Sequence, residues 1–197
     1  MSDDKKNIFY IGCKEFFYIE IAKKLIQKKN WNPVYWTAND EHENEVKINF
    51  PKAVFHKNLF AVRGYIPRVL EHDFNCFKSK INMMKLAKLK NISIYMLERF
   101  NWDHSFTLKE KLTLIDLHIR YADFITEKFD PEIVLFQEVP HFVYDYILYE
   151  VCKIKNIKTL IFAFSNISGF SFVIDNIWHT SKKLKQYYEE NQKKFHS

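Results

Sequence analysis

Glycine is nearly absent from this chain, with three residues in 197. That scarcity excludes the phosphate-cradling loops built on repeated glycines. The turn Ile11-Gly12-Cys13-Lys14-Glu15 holds a single glycine and has neither the G-x-G-x-x-G nor the Walker spacing. Cysteine is as sparse. Cys13, Cys76 and Cys152 are odd in number and far apart, which suits neither a disulfide framework nor a C-x-x-C metal or redox pair. No apolar run approaches the roughly 18 residues that a bilayer-spanning helix needs. The charged stretch from Met1 to Asn7 leads straight into a short strand rather than an apolar signal core, so a reducing cytoplasm is the expected compartment. His56, His72, His104 and His118 stand at no metal-ligand spacing, and neither H-E-x-x-H nor a G-x-S-x-G elbow occurs. Metal dependence and serine-hydrolase chemistry are not expected.

What is abundant is apolar and aromatic. The hydrophobic share of 47%, with 19 Phe and 11 Tyr, is ample for the core of one domain. The formal charge of +6 comes from lysines spread along the chain among 24 acidic residues, which reads as a solvated face. A phosphate-rich ligand or an anionic membrane surface is the alternative. No dense arginine patch or RNA-binding signature points to nucleic acid.

Asn7 to Cys13 is a short apolar run closed by Gly12 and predicts a buried first strand. Lys14 to Asn30 places Phe17, Ile21, Leu25 and Ile26 at helical spacing with lysines opposite. Trp31 to Ala38 predicts a second strand, with Pro33 putting its start near an edge or turn. Asn39 to Val46, polar and acidic, reads as a loop. A third strand is expected within Ala53 to Val62, and mainly helix from Val69 to Leu97. Thr107 with Glu110 forms a capping-box signature ahead of a stripe of Leu108, Leu112, Ile115, Ile119, Ala122 and Ile125. Asp130-Pro131 stops that helix. Glu132 to Gln137 and Lys158 to Phe164 are apolar runs flanking one helix, a βαβ unit whose strands pair in parallel. The fold expected is α/β, Rossmann-like: an open, mostly parallel sheet with helices on both faces.

Ligands of such sheets gather at the carboxyl ends of the strands. Glu138, Pro140 and His141 follow the strand ending at Gln137, with Tyr144 and Asp145 about one turn on. Glu138 or a neutral His141 beside a helix N-terminus could act as a general base on a hydroxyl. The plainer alternative makes Glu138 a helix cap and ties His141 to a neighbouring loop. Arg99 could clamp a carboxylate or phosphate, with Trp102 as a stacking face. Its plainer alternative is a salt bridge from Arg99 to Glu98 or Asp103 and a core tryptophan. Gly12 permits a tight strand-to-helix turn beside the same crevice.

The order LERF at 97–100, the capped helix, PEIVLFQEVPHFVYDYILYEVCKIKNIKTLIF at 131–162 and FSFVIDNIW at 170–178 resembles bacterial capsular and surface-polysaccharide biosynthesis proteins of GT-B glycosyltransferase type. The resemblance covers roughly positions 90–178, and the first strand and helix more loosely. Its most specific element is Pro-His-x-x-Tyr-Asp followed by Lys-x-x-x-Ile-Lys-Thr. Asn156 departs from the glycine that commonly precedes Ile-Lys-Thr, a mild change because Asn tolerates a left-handed cap. The resemblance implies an acceptor-side Rossmann-like domain over 1–179 and a helical tail or linker start over 180–197. The motif residues that carry over are Arg99, Pro140, His141, Tyr144 and Asp145, with Glu138 as neighbour. With Trp102 and Gly12 added from the residues themselves, Arg99, Trp102, Tyr144, Asp145 and Gly12 are expected to bind substrate and Glu138 and His141 to be catalytic. The resemblance further implies a glycan or lipid-linked glycan acceptor and a nucleotide sugar as donor substrate of the intact enzyme. No tightly bound cofactor is expected. The donor would sit on a second domain or chain, and work at the inner face of the cytoplasmic membrane would be natural. A non-catalytic glycan-binding or assembly partner is the other reading.

Overall fold

The computed structural model describes residues 5–81, 86–99, 105–164, 171–178 and 182–195. Its strands are β1 (Lys6–Ile11), β2 (Trp31–Ala38), β3 (Val54–Lys57), β4 (Pro131–Phe136), β5 (Lys158–Phe164) and β6 (Ser171–Ile174). The helices are α1 (Phe17–Lys29), α2 (Glu43–Asn49), α3 (Asn58–Val62), α4 (Arg68–Cys76), α5 (Ala87–Glu98), α6 (Leu108–Phe129), α7 (Val143–Ile154) and α8 (Lys182–Phe195). The protein is α/β, with one six-stranded sheet in the order β3-β2-β1-β4-β5-β6. Every pairing is parallel except β5 with β6, which is antiparallel. Strand order reverses between β1 and β4, so the carboxyl ends of those two strands frame the crevice of the sheet.

Helices cover both faces. One layer buries Phe9, Ile11, Tyr35, Val134 and Phe136 beneath α4, α5, α6 and α7. The other buries Ile8, Tyr10, Trp36, Ile133 and Leu135 beneath α1 and α2. The alternation along β1 and β4 is the period-two pattern of strands buried on both sides. Tyr10 stacks on Trp36 at 4.2 Å, and Trp36 on Phe50 at 5.6 Å. Rings this buried contribute roughly 1.5–3 kcal/mol each by area alone.

The chain turns back from helix to strand without glycine. Asn30, Asp130 and Asn156 all take positive φ (54°, 42° and 58°), ending α1, α6 and α7. Asn and Asp enter this left-handed region because their short polar side chains find local hydrogen bonds. The capping box at Thr107 and Glu110 forms in full. Of the stripe on α6, Ile115, Ile119, Ala122 and Ile125 are buried, whereas Leu108 in the first turn is exposed.

One expectation needs correction. The segment 39–46 is not a loop: a 3-10 turn at Asp40–His42 runs into α2. Its acidic residues favour a helix start, where Glu43 and Glu45 meet the positive end of the dipole and Glu43 pairs with Lys47 at 2.5 Å. Pro33 does stand near an edge and a turn: it follows the left-handed Asn30, and β3 pairs with β2 only from Tyr35 onward. The missing N–H is absorbed where the register shifts, Ile8 facing Pro33 and Phe9 facing Tyr35.

Candidate functional site

The crevice is built from the turn after β1, the end of β2, the start of α3 and the turn from β4 into α7. Gly12 sits in the first with φ +67°, and a Cβ there would meet nothing within 4 Å. The backbone conformation and the open space both suit glycine, and a ligand can approach the main chain there. The Gly12 N–H donates to Thr37 Oγ1 at 2.7 Å. Tyr144 reaches the same hydroxyl at 3.4 Å and donates to Asn58 Oδ1. Burial holds the Tyr144 phenol well above its usual pKa, with the nearby Asp145 adding to the rise. Gly12, Thr37, Tyr144 and Asn58 thus form one polar chain across the carboxyl ends of β1, β2 and β3.

At the switch point itself the key side chain is Gln137. It is buried, and its Oε1 accepts the Lys14 N–H at 2.6 Å. Its own N–H donates to the Ile11 carbonyl at 3.0 Å. The turn after β1 is therefore clamped to the end of β4, and the floor of the crevice is fixed.

Glu138 and His141 stand above that floor, both half-buried. His141 Nδ1 lies 3.0 Å from the Val139 carbonyl oxygen. A carbonyl only accepts, so Nδ1 is the donor of this contact, and a neutral ring held this way would carry its lone pair on Nε2. Arg99 reaches the same turn, its Nη2 donating to the His141 carbonyl at 3.1 Å. Glu98 pairs with Lys111 on α6, and Asp103, the other partner weighed for Arg99, lies outside the described residues. Trp102 lies outside the described residues.

Asp145 has another job. It is buried at the third position of α7, and its carboxyl faces the backbone N–H groups of His141, Phe142 and Tyr146. Burial raises its pKa well above the ordinary carboxylate value, those N–H groups pull it down, and the Glu138 charge adds to the rise. Its Oδ1 is buried with no hydrogen-bond partner among the described residues.

Of the residues picked from sequence, Gly12 and Tyr144 meet at the Thr37 hydroxyl, Arg99 bonds the turn that holds His141, and Glu138 lies in that same turn, ahead of Asp145 on α7. Thr37, Asn58 and Gln137 were missed. A polar residue ending an apolar strand, as Gln137 ends EIVLFQ and Thr37 nearly ends β2, was the available signal. Among the described residues no group of three or more His, Cys, Asp or Glu could hold a metal ion, and no helix is long and apolar enough to cross a membrane. Comparison with known proteins adds no family: no family model matches the chain, and no curated protein matches it.

Proposed function

We propose that this chain is the acceptor-binding, N-terminal half of a glycosyltransferase of capsular or surface-polysaccharide biosynthesis. The observation that carries the reading is the anchoring of the His141 ring, whose Nδ1 lies 3.0 Å from the Val139 carbonyl oxygen in the turn after β4. Nε2 would take the proton of an acceptor hydroxyl. The freed oxygen would attack the anomeric carbon of a nucleotide sugar, whose bond to phosphate oxygen breaks as the nucleotide leaves. Glu138 would stabilise the imidazolium or serve as the base itself, and Gly12 and Arg99 would line the acceptor path. The donor would bind mainly to a second domain or chain, since no glycine loop for phosphates exists here.

Calorimetric titration of this chain with UDP-, GDP- and CMP-sugars tests the reading. Only weak heats are expected, and a saturable micromolar site would overturn the half-enzyme assignment. A non-catalytic, glycan-binding role draws support from Tyr144 and Asp145, two motif residues committed to internal bonding rather than to the opening. Acceptor binding that survives loss of both Glu138 and His141 would favour it.

A further inference from the structure

The open edge of the sheet carries a second feature, away from the crevice. A groove of about 1,030 Å³ runs along β3. Its floor is the edge strand β3 with the Pro51–Ala53 turn before it, and β3 pairs with β2 alone among the described residues. Its walls rise from opposite faces of the sheet. α2 forms one, with Val46 packed in the α1 layer, and the 63–71 segment forms the other, with Ile66 and Leu70 packed in the α4–α7 layer. The two helical layers therefore project past the last strand and leave a slot at its edge.

The slot is cationic. Five lysines and arginines line it against two carboxylates, Glu43 and Glu71. Glu43 is spent on Lys47 at 2.5 Å and Lys57 at 3.4 Å. Lys52, Arg63 and Arg68 have no ion pair among the described residues, and two of the chain's four arginines are thus exposed in one groove. Apart from the ladder with β2, Val54, Phe55 and His56 make no turn or loop main-chain bond among the described residues, and Lys57 caps the start of α3. Phe60 and Tyr65 pack edge to face at 5.6 Å, and Lys57 Nζ covers the Phe60 ring at 5.8 Å. They offer no row of separate stacking platforms, which a single-stranded nucleic acid would use.

We propose that this slot binds an extended acidic segment of a partner protein, which adds to the sheet as a strand beside β3. An added strand would satisfy the outer main-chain groups over the roughly 13 Å that four residues span. Side chains alternating to the two faces would bring carboxylates to Arg63 and Arg68 on one wall and to the lysines on the other. Arginine forks match carboxylates bidentately, and the match supplies selectivity for acidic sequence. The proposal stands independently of the chemistry at His141.

The probe is a fluorescent peptide of three Glu-Glu-Val-Thr repeats, titrated by anisotropy at low and moderate salt. Its companions are the same peptide with alternate backbone amides N-methylated, a polyglucuronate oligomer and an oligothymidylate of equal charge. Saturable binding of the plain peptide is expected, with slowed amide exchange at Val54 to Lys57. Binding should weaken about tenfold or more in the Arg63→Glu, Arg68→Glu double variant and in the N-methylated peptide. Arg63→Gln with Arg68→Gln, checked for an unchanged melting temperature, should weaken it less. Failure of the plain peptide to bind would overturn the proposal. So would equal affinity for the N-methylated peptide, or tighter binding of the polyglucuronate or the oligothymidylate, because the groove would then be reading charge alone.

Discussion

Acid should destabilise this fold through two histidines that take no part in the proposed chemistry. His56 on β3 and His118 on α6 line a cavity of about 20 Å³ together with Tyr35 and Tyr121, and both rings are buried. His56 Nδ1 bonds the Tyr35 hydroxyl at 2.6 Å, and the buried Nε2 atoms of both histidines lack a full hydrogen bond. Burial pushes each pKa from 6.5 to about 4, and each ring sits beside one backbone group that only partly offsets the loss. The unfolded chain therefore binds these protons more readily than the native one. Stability contributed by the neutral rings is complete above about pH 6.5 and drains away as pH falls towards 4. At about 1.4 kcal/mol per pKa unit, each histidine accounts for roughly 3 kcal/mol over the whole window. About 2 kcal/mol of that is lost between pH 7 and pH 5, hence about 4 kcal/mol for the pair. With a urea dependence near 2 kcal/mol per molar, the unfolding midpoint should drop by about 2 M between those two pH values. The assay is urea denaturation followed by tryptophan fluorescence at pH 7, 6 and 5, on the wild type and on His56→Asn with His118→Asn. The double variant should be less stable at pH 7 yet show a much flatter pH dependence. Identical pH dependence in both proteins would refute the reasoning.

Four further outcomes follow from named contacts. Gly64→Ala should cost about 2–4 kcal/mol in denaturant melts, because φ is +77° and a Cβ would stand 2.8 and 2.9 Å from Leu114 Cδ1 and Leu117 Cδ2, whereas Gly12→Ala, strained but unobstructed, should cost about 1 kcal/mol. Asp130→Gly should stabilise by up to about 1 kcal/mol, since φ of 42° suits glycine, and a lower melting temperature would contradict it. Tyr10→Phe should stabilise by about 1 kcal/mol, because the hydroxyl is buried with no partner. Asp145→Asn should gain stability relative to the wild type as pH rises from 4 to 8, since a carboxyl with a raised pKa destabilises the fold once it must ionise; an unchanged difference across that range would refute it.

The layered architecture was legible because continuous apolar runs at 132–137 and 158–164, one helix apart, admit few arrangements. What escaped was local. α2 hid in an acidic stretch whose helix-forming force is charge against the dipole rather than an apolar stripe. Pro33 was informative, since it marks the part of β2 that β3 does not reach. β6 could not be foreseen, since Phe172 and Val173 are both exposed and its pattern carries no buried face. At the crevice, Glu138 and His141 were legible from their place after a strand. Gln137 was not, because its importance lies in a bond to Lys14, 123 positions away.

That distant bond explains how one short turn supports two carboxylates with opposite fates. Gln137 holds the end of β4 against the turn after β1, so the chain leaves the strand in a fixed direction. α7 then begins without a side-chain cap from Phe142, and its free N–H groups need an acceptor. Asp145 faces them from within the core, where burial raises its pKa and ionisation is costly. Glu138 and His141 both stay half-buried in the turn ahead of α7. In the proposed two-domain transferase, Glu138→Gln or His141→Ala should lower turnover roughly 10²–10⁴-fold, whichever residue is the base. Arg99→Ala should mainly raise the acceptor concentration required, as loss of ground-state positioning does. Full activity in both the Glu138 and the His141 variants would reduce the turn to a structural element and leave the crevice without a base.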